Sequence, residues 1–299
     1  MPLPPTTPEL AALDLFVSVV ELGSLSKAAA AHQIAQPSAS SRVRYLERQL
    51  GLTLLDRSPA GSTPTAAGSL VAGWAEATLR SAQMLNAGVD ALKAQRAGRL
   101  RIAASLTIAE YLLPSWLERF LRNRPADSIK LEVANSEEVL KRLTDQQVDL
   151  GFIESTMPTP AMYEQVVAHD RLVVVVGRQH GWGGRGSVSV EELSATPLIL
   201  RERGSGTREA LEVTLADLGY PLPTSALKLG STAAVRAAVI VGTSPTVISH
   251  RAVATELEAG SLVEVAVPGL HIDRRLRAVW PKDQTLPPLA VDLLNGLAV

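Results

Sequence analysis

Apolar residues recur at helical spacing from the tenth position onward. Leu10, Leu13, Phe16, Val17 and Val20 share one face of a helix that ends near Gly23. Ser24 is a natural N-cap for a second helix, "LSKAAAAHQ", whose alanines allow close helix packing. A short turn at residues 33–35 leads into "QPSASSRVRYLERQLG". Pro37 sits in the first turn of this third helix, where its missing N–H costs nothing. Ala39, Val43, Leu46 and Leu50 fall on one face and are expected to pack inward. The opposite face carries Pro37, Ser41, Arg44 and Arg48, with Ser38 and Tyr45 beside them and Gln36 and Ser40 flanking its start.

Thr65 is placed to cap a long helix reaching to about Gln95. Leu70 or Val71, Trp74, Thr78, Ser81, Leu85, Val89 and Leu92 form a loose apolar seam along it. Such a seam fits pairing with a second helix, and equally burial against its own domain. From Leu100 the pattern changes. "LRIAAS", "IKLEVA" and "VDLGFIES" read as strands, separated by the amphipathic helices "TIAEYLLPSWLERFLRNRP" and "SEEVLKRLTDQQ". "RLVVVVG", "TPLIL", "LKLG", "TVIS" and "LVEVAV" read as further strands with helices between them. The alternation predicts a parallel α/β sheet. The length of this half, residues 98–299, predicts two lobes with a cleft.

Composition narrows the chemistry. Of 299 residues, 46% are hydrophobic and 20% charged, enough for a folded core. The absence of cysteine excludes disulfides, thiolate catalysis, iron–sulfur clusters and cysteine zinc sites. His32, His169, His180, His250 and His271 are not at helical metal-ligand spacing from one another. The start, "MPLPPTTPEL", has no basic n-region or long apolar run, so no secretory signal is expected, nor any membrane span. A cytoplasmic protein is expected.

The formal net charge is −1, so any nucleic-acid surface must be local. Residues 27–57 hold five basic side chains (Lys27, Arg42, Arg44, Arg48 and Arg57) against two acidic ones (Glu47 and Asp56). In a helix-turn-helix, the start of the second helix meets base edges in the major groove. Gln36 can pair with adenine, serine hydroxyls can donate or accept, and arginines further along suit phosphates. A solvated surface helix would carry the same residues.

In the second half, several strand ends carry small polar residues: Ser105 and Thr107, Asn135 and Ser136, Glu154 and Ser155, Ser231 and Thr232. Open α/β sheets bind ligands at such ends. "GSGTR" adds Ser205, Gly206, Thr207 and Arg208 at a helix start, where free N–H groups and the helix dipole favour an anion. It is neither a P-loop nor a dinucleotide fingerprint, and a plain helix cap is the bland alternative. No cofactor motif or acid–base pair with catalytic context is found, so an enzyme is not expected.

The stretch from Leu13 to Arg57 resembles the winged helix-turn-helix of LysR-type transcriptional regulators. The matching pieces are Phe16, "GSLSKAA", "QPS", Ser40, "LE", "LG", Arg57 and "TAAG" at residues 65–68. Ala35 departs from the family, which usually has a capping Ser there, and Leu55 replaces a common Phe. The resemblance implies an N-terminal all-α winged helix-turn-helix at 8–64 and a linker and dimerisation helix at 65–97. It also implies a C-terminal α/β two-lobed domain at 98–299, similar to type 2 periplasmic binding proteins. Lobe I would span 98–168 and 270–299, and lobe II 169–269. "GSGTREALE" and "LTIAEYLLP" resemble the branch with regulators of sulfur assimilation and carbon fixation.

Gln36, Pro37, Ser38, Ser40 and Arg57 would lie at the DNA by this resemblance. Lys27, Ser41 and Arg44 join them from the charge and face pattern. An effector would lie near Ser105, Thr107, Asn135, Ser136, Glu154, Ser205, Thr207 and Thr232, with Gly206 and Arg208 added by the helix-start argument. Expected partners are double-stranded promoter DNA, further copies of the chain as dimer or tetramer, a small polar or anionic effector, and RNA polymerase. The alternative is a small-molecule-binding protein with a two-lobed cleft and little specific DNA binding.

Overall fold

The computed structural model describes residues 2, 4, 6–58, 61–96, 98–122, 124–125 and 128–297, with backbone alone at 57, 58, 91 and 94–96. Contacts divide the chain into two units, 1–87 and 88–299.

In the first unit, α1 (Leu10–Leu22) ends at Gly23, whose φ of 61° is the left-handed conformation glycine adopts without a Cβ clash. The Ser24 hydroxyl accepts from the Lys27 amide at 3.3 Å and caps α2 (Leu25–Ala31). The third helix, α3 (Gln36–Leu50), starts at Ala35 without a side-chain cap and ends at Gly51. Ala39, Val43 and Leu46 are buried as expected, in one cluster with Phe16, Val19 and Ala28. Leu50 is only half-buried, and Leu10, at the first turn of α1, is exposed.

Three local devices lock the rest of this unit. The hairpin β1 (Leu55–Ser58) and β2 (Gly61–Pro64) is antiparallel, and Ser62 donates its N–H to the Gly23 carbonyl at 3.1 Å. Glu47 Oε1 accepts from the amides of Leu54 and Leu55 at 2.9 and 3.2 Å, tying the exit of α3 to the hairpin. Thr65 Oγ1 accepts from the Gly68 amide at 2.9 Å, capping the 31-residue α4 (Ala66–Arg96) as expected. A Cβ on Gly68 would sit 2.0 Å from the Leu54 carbonyl oxygen, so only glycine lets α4 pack this closely. Val71, Ala72 and Ala75 face the core, whereas Leu70, Trp74, Leu85 and Leu92 are exposed.

The second unit is built on one nine-stranded sheet of order β4-β3-β5-β11-β6-β9-β7-β8, with β10 also paired to β6. The strands are β3 (Leu100–Ser105), β4 (Ile129–Ala134), β5 (Leu150–Ile153), β6 (Met162–Gly177), β7 (Leu198–Arg201), β8 (Ser225–Leu229), β9 (Thr246–Ser249), β10 (Leu262–Glu264) and β11 (Ile272–Pro281). The helices are α5 (Leu106–Tyr111), α6 (Leu113–Leu121), α7 (Ser136–Thr144), α8 (Val190–Ala195), α9 (Gly206–Asp217), α10 (Thr232–Val241), α11 (His250–Glu258) and α12 (Pro288–Asn295).

The sheet is mixed, which corrects the expected all-parallel one. β3 is parallel to β4 and β5, and β7 to β8 and β9. The long strands β6 and β11 run antiparallel to each other and join the two parallel groups. The amphipathic stretch after β3 is two helices, broken at Leu112, because Pro114 suits a helix start and disfavours the preceding interior. Leu100, Ile102, Phe152 and Leu276 pack with α6 and α12 in one cluster, and Val174, Val176, Leu200 and Val247 pack in another.

Replacing Glu47 with Ala strips the acceptor from two partly buried amides, an expected loss of about 1–3 kcal/mol. Hydrogen exchange on the full chain checks it: the Leu54 and Leu55 amides should lose protection while amides elsewhere in α3 keep theirs.

Candidate nucleic-acid interface and ligand cleft

The outer face of α3 follows from its inner one. With Ala39, Val43 and Leu46 buried, the helical period turns Gln36, Pro37, Ser38, Ser41 and Arg44 to solvent, and all five are exposed. Ser40 is half-buried at the edge of this face. Arg48 is exposed and stacks 5.9 Å from the centre of the Tyr45 ring. Lys27, on α2, is exposed. Lys27, Arg42 and Arg44 make no ion pair among the described residues. Arg57 lies on β1 opposite Ser62, but its side chain is outside the described residues. The geometry offers an amide and hydroxyls at the helix start and uncompensated positive charge beside them.

The second site is built where β3, β5 and β11 meet the start of α9. Arg274, on β11, is its centre, with a side chain 0% exposed. Its Nε and Nη2 donate to Asp170 Oδ2 at 3.0 and 2.8 Å. Nη1 donates to Thr207 Oγ1 at 3.1 Å, and Nη2 to Thr107 Oγ1 at 3.3 Å. Glu154 Oε2 lies 3.0 Å from Nη2 in ion contact, but without an aligned hydrogen bond. Asp170, 1% exposed, also accepts from Ser249 Oγ at 2.8 Å and lies 3.8 Å from Arg251 Nε. One buried guanidinium therefore serves two buried carboxylates and two hydroxyls.

The strand-end residues divide around this cluster. Thr107, Glu154 and Thr207 meet at Arg274. Gly206 packs on Glu154 so closely that a Cβ would sit 2.6 Å from the Glu154 carbonyl carbon and 2.8 Å from its Cγ. Ser136 Oγ accepts from the Glu154 amide at 3.3 Å. Ser105 and Ser205 are buried, and their hydroxyls have no hydrogen-bond partner among the described residues. Ser205 also lines a cleft of about 360 Å³ with Glu137, Ser155, Arg203, Gly204 and Arg208.

The other residues are spent locally. Asn135 caps α7 through the Glu138 amide at 3.0 Å. Thr232 accepts from Arg201 at 3.4 Å, and Arg208 donates to the Arg201 carbonyl at 3.3 Å. Arg201 is buried and pairs with Glu202 at 2.8 Å.

Sequence reasoning missed Arg274, Asp170 and Glu209. The signal for Arg274 is the strand period: Ile272, Arg274 and Leu276 alternate inward, with Asp273 and Arg275 outward. Glu209, one turn into α9, accepts from Ser155 Oγ, Thr156 N and Oγ1, and Met157 N at 2.7–3.2 Å. It holds the turn after β5 against α9.

A winged helix-turn-helix followed by an α/β domain with a polar interior site defines a ligand-responsive transcription regulator. Comparison with known proteins gives the family. Residues 10–69 match the model of the bacterial regulatory helix-turn-helix protein, lysR family, and residues 93–298 match the LysR substrate binding domain. The chain belongs to the LysR family of transcriptional regulators, with a DNA-binding and an effector-binding domain.

An uncharacterized HTH-type transcriptional regulator of Mycobacterium bovis is 40% identical, over 99% of this chain and 98% of that protein. The HTH-type transcriptional regulator CysL of Bacillus subtilis is 31% identical, over 88% of each. The Synechocystis PCC6803 CcmR regulatory domain, in complex with 2-PG, has a TM-score of 0.60 at 26% identity, over 67% of this chain and 95% of that one. CbnR, a LysR family transcriptional regulator, has a TM-score of 0.60 at 22% identity, over 97% and 98%. No helix among the described residues is long and apolar enough to cross a membrane.

Breaking a buried charge cluster costs about 3–5 kcal/mol. Asp170→Asn should therefore shift the urea midpoint of the second unit downward. Tryptophan fluorescence reads it, since Trp116, Trp182 and Trp280 lie in that unit. An unchanged midpoint would show that Arg274 does not need Asp170.

Proposed function

We propose that this regulator binds promoter DNA sequence-specifically as a homo-oligomer and answers to a small polar or anionic effector held around Arg274. The observation that carries the DNA half is the outer face of α3: Gln36, Pro37, Ser38, Ser41 and Arg44, all exposed opposite the buried Ala39, Val43 and Leu46. Lys27 and Ser40 flank this face, and Arg57 on the hairpin is the wing contact. Gln36 and the serines are the base-reading candidates, and Lys27, Arg44 and Arg57 the phosphate contacts. One α3 covers few base pairs. A two-fold pair reads a pseudo-palindrome, and the exposed Leu70, Trp74, Leu85 and Leu92 on α4 supply an apolar seam for it.

On the effector half, Ser105, Thr107, Ser136, Glu154, Ser205, Gly206 and Thr207 form the inner shell. Asn135, Arg208 and Thr232 stand behind it. Lobe I is residues 98–168 with 270–299, and lobe II 169–269. In support, α12 packs in the same apolar cluster as β3 and β5. The CcmR domain, of similar shape, is in complex with 2-PG. An effector acts only by binding one arrangement of the protein better than another. With promoter DNA as partner, the protein works in the cytoplasm.

Binding of the full chain to fragments of its source genome, with salt titrated, tests the reading. A discrete set of pseudo-palindromic sites is expected; uniform weak binding lost with modest salt would leave the small-molecule-binding alternative. Arg44→Ala should weaken binding to all sites alike and reduce the salt slope by about 1. Gln36→Ala should cost roughly 1–3 kcal/mol and relax preference at a single base pair. An equal loss on every sequence would remove Gln36 from base reading.

A further inference from the structure

The inner shell is not a plain anion site, because it contains Glu154. This carboxylate is 1% exposed, and among the described residues its one charged contact is Arg274 at 3.0 Å. Arg274 is already committed to Asp170 by two hydrogen bonds, whereas Asp170 has further help from Ser249 and Arg251. Glu154 Oε2 is left buried without an aligned donor. A buried ionised carboxylate in that state is costly, and a cation with N–H donors relieves it best.

The opposite need lies beside it. Thr107 and Thr207 accept from Arg274, so each hydroxyl proton remains free to donate. Ser105 and Ser205 have buried hydroxyls with no partner among the described residues. The 12-residue α9 starts at Gly206, without a side-chain cap from Ser205, and presents its dipole and unspent N–H groups there. These donors ask for a carboxylate. Gly206 is packed against Glu154, so the two poles are close: a Cβ there would be 2.8 Å from Glu154 Cγ.

We infer that the effector is a small α-amino acid, its carboxylate on the α9 start and the neighbouring hydroxyls, its ammonium on Glu154. In that molecule the ammonium and the carboxylate hang from the same carbon, which matches two poles that nearly touch. Ser105, Thr107, Glu154, Ser205 and Thr207 are 0–4% exposed, so a ligand reaches them only where these packed groups part, which favours a short side chain. This inference rests on the cleft being the effector site and adds the ligand's charge pattern.

The charge on Glu154 gives a test whose sign separates the ligand classes. Thermal shift and calorimetric titration are run on the full-length protein with the twenty protein amino acids, lactate, glycerate, sulfate and phosphate. The same panel is run on Glu154→Gln. The expected result is binding of one or a few small amino acids, at least a hundredfold weaker binding of the hydroxy acid of the same skeleton, and loss of amino-acid affinity in Glu154→Gln. Removing a negative charge should instead tighten any ligand that is only an anion.

If sulfate, phosphate or a hydroxy acid binds best and Glu154→Gln strengthens it, the cleft stands as the effector site and the amino-acid inference fails. Equal binding of the amino acid and its hydroxy acid also overturns it. Binding that neither Glu154→Gln nor Ser205→Ala alters would place the ligand elsewhere and remove the cleft reading too. Silence of wild type towards all twenty amino acids overturns the inference without needing the variant.

Discussion

A guanidinium taken out of water must be given partners back, and Arg274 finds hydrogen-bond acceptors on three chain segments and an ion contact on a fourth. Asp170 comes from β6, Thr107 from the start of α5, Thr207 from the start of α9, and Glu154 from the end of β5. These segments are brought together only because β6 and β11 run side by side through the middle of the sheet. The cluster is thus both a product of the sheet order and a reason for it. A register slip of one residue along β11 would turn Arg274 outward, leaving Glu154 without its cation and Asp170 with Arg251 at 3.8 Å. The register shift between Leu276 and Arg277 leaves Val167 of β6 as the extra residue, and beyond it Arg277 donates to the carbonyls of Ser155 and Met157 at 2.6 and 2.8 Å.

The same central position would make the proposed effector site responsive. Arg274 touches both the start of α5 and the start of α9, so a molecule that competes for it would change contacts on both. Glu209 adds a second tie between α9 and the turn after β5. A ligand that prefers one spacing of these elements biases the domain by its differential affinity for that spacing. On the proposed reading, transmission would need no special route beyond elements that already share one guanidinium.

Much of the first unit could be read from sequence, because its signals are local. Ser24, Gly23, Thr65 and the inward faces of α1 and α3 act within a turn or two of their own positions. Glu47 could not be read this way, since its partners, the amides of Leu54 and Leu55, lie beyond the helix end. In the second unit the strand-end hydroxyls were legible as polar residues at junctions. Their common centre was not. "DRRLR" reads as a solvated stretch until β11 is known to lie between β5 and β6, which turns alternate positions inward. The parallel-sheet expectation failed for the same reason: local alternation of strands and helices does not say that β6 and β11 return through the centre in the opposite direction.

Ala35 leaves the start of α3 without a side-chain cap, and Pro37 removes one of the amides that would need one. The Gln36 and Ser38 amides still point forward from the helix, and the peptide dipoles gather partial positive charge there. A serine at position 35 would have answered that charge from within the chain. With alanine, the completion of the fold is left to whatever stands in front of the helix, water in solution or a phosphate oxygen on a nucleic acid. Folding and recognition then share a single unsatisfied boundary, and order at the first turn of α3 becomes a property of the complex as much as of the protein.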